Sequence, residues 1–165
     1  MKKRLAAGRL AAFGLLVSLA IVLSYVEYLI PFFQPAPGIK PGLANVVVIF
    51  ALYRLGSAQA AAVSLLRVIL MAVLFGNAFA LMYSLSGAVL SFGVMLLLKR
   101  AGVFSPAGVG AAGGVCHNIG QLLCALVLLE TGGLIYYLPV LLLSGTAAGL
   151  VTGTVAGVLL KRIQN

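Results

Sequence analysis

Residues 42–55 read GLANVVVIFALYRL, and whether this run crosses a membrane decides the fold. As a helix it reaches only about 20 Å, against roughly 30 Å for the hydrocarbon core of a bilayer. Further apolar runs lie at 10–32, 57–75, 78–98, 107–130 and 134–160, separated by turn-forming stretches such as QPAPGIKPG, KRAGVFSP and ETGG. Charge distribution decides the status of the short run. If it crosses, and the N-terminus is inside, the inner ends collect Lys2, Lys3, Arg4, Arg9, Arg54, Lys99, Arg100, Lys161 and Arg162, leaving Lys40 alone outside. If it does not cross, every later cluster changes side and the split becomes four against six. The bias of short cytoplasmic loops toward Lys and Arg selects the first arrangement. The expected fold is therefore an all-α integral membrane protein. It is a single domain over 1–165, a six-transmembrane-helix bundle with both termini cytoplasmic.

Composition agrees. Of the 165 residues 63% are hydrophobic and 8% charged, with a mean hydropathy of +1.21. Soluble domains are about a quarter charged, so this chain cannot cover itself against water. A net charge of +9 would suggest nucleic acid. Here the basic residues sit in small clusters between apolar runs, which is the pattern of membrane topology, and no nucleic-acid partner is expected. The first run begins like a signal peptide, but its core is too long and no cleavage site follows, so it reads as a first membrane helix. Tyr25, Tyr28, Tyr136 and Tyr137 fall near outer ends and Tyr53 near an inner end, as an aromatic belt would place them. Cys116 and Cys124 are about 12 Å apart by helix rise, too far for a disulfide, and read as buried thiols.

Small residues suggest how the helices meet. Gly145, Gly149, Gly153 and Gly157 recur every four residues in the last run and form one flat helix face. Such a stripe permits close backbone approach, either inside the bundle or against another protein. Ala7/Ala11 and Gly14/Ser18 are shorter pairs in the first run with the same two readings.

Polar residues inside apolar runs mark the candidate site. In the fifth run, CHNIGQ places His117 and Gln121 on one face at i, i+4, with Asn118 on a neighbouring stripe. One histidine and a distant thiol are too few donors for a metal, and no carboxylate or nucleophile neighbours His117 in sequence. Ligand recognition and interhelical hydrogen bonding both remain. Arg67, in SLLRVIL, lies near the middle of the third run, where a charge needs a partner. That partner is either Glu27, one of two carboxylates in the chain, or an anionic group on a ligand. Lys40, Asn45 and Asn77 lie toward the outer ends. Together these residues describe a pocket opening outward, with CHNIGQ as its floor and Arg67 as a wall.

At these same residues the sequence becomes familiar. LSYVEYLIPF, PGIKPGLANVV, SLLRVILMAVLFGN, LSGAVLSFGVMLLLKR, HNIGQLL and YYLPVLLLSGTAAG resemble the bacterial membrane family labelled heptaprenyl diphosphate synthase component I, also called Gx transporters. The likeness runs from about Ala11 to Arg162. That family in turn is similar to the S components of energy-coupling-factor transporters, six-helix proteins that capture a vitamin-like nutrient from outside. The resemblance implies a multi-pass protein of the bacterial cell membrane. It also implies a transmembrane coupling subunit with cytoplasmic ATPases as partners, contacting a small-residue motif on the first helix. The nearest equivalents here are Ala7/Ala11 and Gly14/Ser18.

The enzyme label fits less well. Polyprenyl diphosphate synthases hold magnesium and diphosphate with aspartate-rich motifs, because hard cations demand several carboxylate oxygens. This chain has no Asp and two Glu, so it is not expected to be an enzyme or to carry a cofactor. A non-catalytic accessory subunit of heptaprenyl diphosphate or quinone synthesis is the alternative reading. The absence of a nucleotide-binding loop assigns any ATP-driven step to partners.

Overall fold

The computed structural model describes residues 2–29 and 41–164, with side chains from 7 to 29 and from 41 to 163. Lys40 and most of the proline-rich loop lie outside the described residues. Among the described residues six α-helices follow one another: α1 (Lys2–Leu29), α2 (Leu43–Arg54), α3 (Ser57–Phe75), α4 (Ala78–Ala101), α5 (Pro106–Leu129) and α6 (Leu138–Gln164). A 3-10 segment, Gly132–Tyr137, precedes α6. Five of the helices are long and apolar enough to cross a membrane; α2, with 12 residues, is not by length alone.

Local chemistry explains most boundaries. Asn77 caps α4, its Oδ1 accepting the Ala80 amide at 2.8 Å. Ser105 caps α5 by accepting the Gly108 amide at 3.3 Å, and Pro106 fills the first helical position, where no N–H is needed. Gly56 adopts φ 106 and ψ 174, a conformation closed to residues with a Cβ, and so turns the chain directly from α2 into α3. Two expected limits shift. The first helix starts at Lys2 rather than near 10, because the basic segment continues the helix past the apolar run. The expected run 134–160 divides into the 3-10 segment and α6. Pro139 lies in the first turn of α6, where a missing N–H costs nothing.

The core is built around the shortest helix. α2 packs against α1, α3, α5 and α6. Val47, Val48, Ile49, Ala51 and Leu52 are almost wholly enclosed, which is why this sequence is apolar all round rather than along one stripe. A short buried helix must still satisfy its terminal backbone groups. Glu27 of α1 accepts the Leu43 amide at 2.6 Å, closing the N-terminal end. At the other end Lys99 of α4 donates to the Leu52 carbonyl and also lies 5.3 Å over the Tyr53 ring. Arg9 of α1 donates to the Leu55 carbonyl at 3.4 Å. Arg9 and Lys99, two of the basic residues expected at inner ends, therefore also cap α2.

The glycine stripe lies inside the bundle. A Cβ on Gly149 or Gly153 would run into the backbone of Gly110 or Pro106 on α5, and one on Gly114 into the carbonyl of Gly145. α5 and α6 touch backbone to backbone along this seam, as small residues in lipid permit. Gly157 is looser, its would-be Cβ meeting only the Pro106 ring at 3.5 Å.

Candidate functional site

Two adjoining cavities open from the same pair of charged residues. The larger, of about 690 Å³, lies among α1, α3 and α4. Ser24, Glu27 and Tyr28 line it from α1, Arg67, Val68, Met71 and Phe75 from α3, and Ala80 and Ser84 from α4, with Asn77 at the cap of α4. The smaller, of about 50 Å³, is the hollow between α2, α5 and α6, bordered by Asn45, His117, Asn118, Gln121 and Thr152. Glu27 and Arg67 border both.

Arg67 reaches this boundary because α3 turns the face carrying Val63, Ser64 and Val68 into the bundle. Its Nη1 donates to Ser24 Oγ at 3.3 Å. Its Nε is buried and has no hydrogen-bond partner. Glu27 is near enough to interact with Arg67 electrostatically, but its carboxylate is bonded to the Leu43 amide and has a further interaction within the chain. The two expected partners are thus electrostatic neighbours, and each also has a hydrogen bond to a third group. The Nε–H is left without an acceptor, and a buried donor in that state is costly.

The polar residues of α5 divide by role. Asn118 Nδ2 donates to the Leu141 carbonyl at 2.7 Å and to Ser144 Oγ at 3.4 Å, joining α5 to α6. Gln121 is 2% exposed and borders the small cavity, as does His117, which is engaged by another group of the chain. Gly87 on α4 makes room for both. A Cβ there would lie 2.8 Å from Gln121 Cγ and 2.9 Å from the His117 carbonyl.

Of the residues singled out in the sequence, Glu27, Arg67, Asn45, His117, Asn118 and Gln121 meet around the small cavity, and Asn77 borders the large one. Lys40 lies outside the described residues. CHNIGQ therefore floors the minor hollow, while most of the open volume stands beside it. The residues that line the larger cavity and were not anticipated include Ser24, Met71, Phe75 and Ser84. Only Ser24 left a trace in sequence, one helical turn from Glu27 on the same face. Tyr28, read as belt, packs on Phe75 with ring centroids 5.9 Å apart, and Tyr25 packs on the same ring at 4.6 Å. Ala7, Ala11, Gly14 and Ser18 stand apart from this site, on an exposed face of α1. Nothing approaches within 4 Å of a Cβ built on Gly14.

Among the described residues no three His, Cys, Asp or Glu side chains converge as metal ligands would. The arrangement can seat a small molecule that brings an acceptor to Arg67 and apolar surface to α3.

No curated protein and no solved structure matches the chain. The family model for heptaprenyl diphosphate synthase component I matches residues 16–159, a stretch that reaches from within α1 to within α6 and includes both cavities. An apolar helical bundle matched over that span is a membrane protein, and the chain belongs to the heptaprenyl diphosphate synthase component I family.

Proposed function

We propose that this protein is the solute-binding membrane subunit of an uptake transporter, akin to the S component of an energy-coupling-factor system. The observation that carries the reading is the buried, unpartnered Nε of Arg67 at the junction of two cavities. A charge held at this depth without a full set of acceptors is explained when a ligand supplies the missing one. In the orientation favoured by the basic clusters, the solute enters from outside, past Tyr28 and Asn77, and the termini face the cytoplasm. Transport would need a partner. The uncovered small-residue face of α1, through Ala7, Ala11, Gly14 and Ser18, is the surface offered to a transmembrane coupling subunit carrying cytoplasmic ATPases.

The test is mass spectrometry of small molecules released from the detergent-purified protein. A stoichiometric solute supports the reading, and a protein that repeatedly emerges empty contradicts it. The family's name favours a second reading, a non-catalytic membrane partner of a prenyl diphosphate synthase. That reading predicts stable copurification with a soluble synthase and no bound solute.

A further inference from the structure

We infer that the ligand of the larger cavity is a single-headed organic acid, with one carboxylate on Arg67 and an extended apolar body reaching to Phe75. The inference rests on the solute-binding reading above and names the class of solute. Arg67 offers its Nε without a partner, and its Nη1 donates to the neutral Ser24 hydroxyl. A guanidinium edge matches the two oxygens of one carboxylate. The second charged group at the junction is Glu27, a carboxylate that already holds the α2 amide. A ligand with two phosphates would bring several negative charges to one cation. Magnesium that offsets them is held through one or two carboxylates beside the phosphates, and Glu27, the carboxylate lining this cavity, already accepts the Leu43 amide. The site is therefore unsuited to a diphosphate, whatever the family's name suggests.

The body of the ligand follows from α3. Arg67 lies in the middle of that helix and Phe75 ends it, a separation of about 12 Å by helix rise. Val68 and Met71 line the path between them, and Tyr28 packs on Phe75 at its outer end. A charged head thus lies deep and an apolar chain rises toward an aromatic rim. The cavity of about 690 Å³ is large enough for a body of this length.

The test uses the purified full chain and three probes that share one body: 8-phenyloctanoate, 8-phenyloctanamide and 8-phenyloctyl diphosphate. Binding is read by thermal stabilisation and by native mass spectrometry. The expected result is that the carboxylate binds, and that the amide and the diphosphate bind at least about tenfold more weakly. Arg67→Gln should remove the preference for the carboxylate over the amide. Arg67→Lys, which keeps the charge without the planar edge, should weaken carboxylate binding while the protein still elutes as a folded species. If the diphosphate binds as tightly as the carboxylate, the single-acid inference falls and the solute-binding reading stands. If no probe binds and the purified protein releases a neutral or cationic solute, the inference again falls alone. If no probe binds and no solute is released, both fall.

Discussion

Arg67 and Glu27 show how little a charge in a membrane helix says about its partner until the fold is known. Both are conspicuous in a chain that is 8% charged. Pairing them is the economical guess, because a lone charge in hydrocarbon is expensive. The fold keeps them neighbours and also gives Glu27 the first amide of α2 and Arg67 the Ser24 hydroxyl, contacts between residues 16 and 43 positions apart that no local pattern announces. Two predictions belong here. Arg67→Gln removes a buried charge with an unsatisfied donor, so the thermal unfolding midpoint of the solute-free protein should stay level or rise while solute binding is lost. A large fall in the midpoint would make Arg67 a structural residue. Glu27→Ala leaves the Leu43 amide without an acceptor and should cost about 1–3 kcal/mol in denaturant unfolding, whereas Glu27→Gln, whose carbonyl still accepts, should cost less.

At the scale of helices, half of the packing was legible. The four-residue spacing of Gly145, Gly149 and Gly153 reveals a flat face on α6, but spacing cannot say what covers it. The complementary glycines of α5, Gly110 and Gly114, decide that the seam is internal. The same blindness explains the larger cavity. Beside Glu27, Arg67 and Asn77 its walls are ordinary residues such as Val68, Met71 and Phe75, and only their convergence makes them a site. The glycines give the third prediction. Gly114→Val should force α5 from α6 and destabilise the protein by at least about 1–3 kcal/mol, read as a lower unfolding midpoint. Gly14→Val, where nothing lies within 4 Å, should leave that midpoint unchanged within error. If α1 is the docking face, the Gly14 variant should lose its coupling partner in a pull-down from membranes.

For the whole molecule, the short run at 42–55 is the pivot: charge bias reads it as a crossing, and the structure makes it a helix, α2, enclosed in the bundle. Its length problem is resolved by enclosure. α2 is surrounded by four helices and capped at both ends by side chains of α1 and α4, so it need not span a bilayer unaided. Orientation is the corresponding prediction. In a background without the native cysteines, Thr131→Cys should react with a membrane-impermeant maleimide on intact cells, and Gly102→Cys only after permeabilisation. The reverse pattern would place the cavity mouth toward the cytoplasm and remove the uptake reading. The most direct measurement is native mass spectrometry of the protein ejected from its own membrane, wild type beside Arg67→Gln. The account predicts one added solute mass on the wild type and none on an equally folded variant. An identical spectrum from both, whether bare or carrying the same adduct, would contradict the claim that Arg67 holds a ligand.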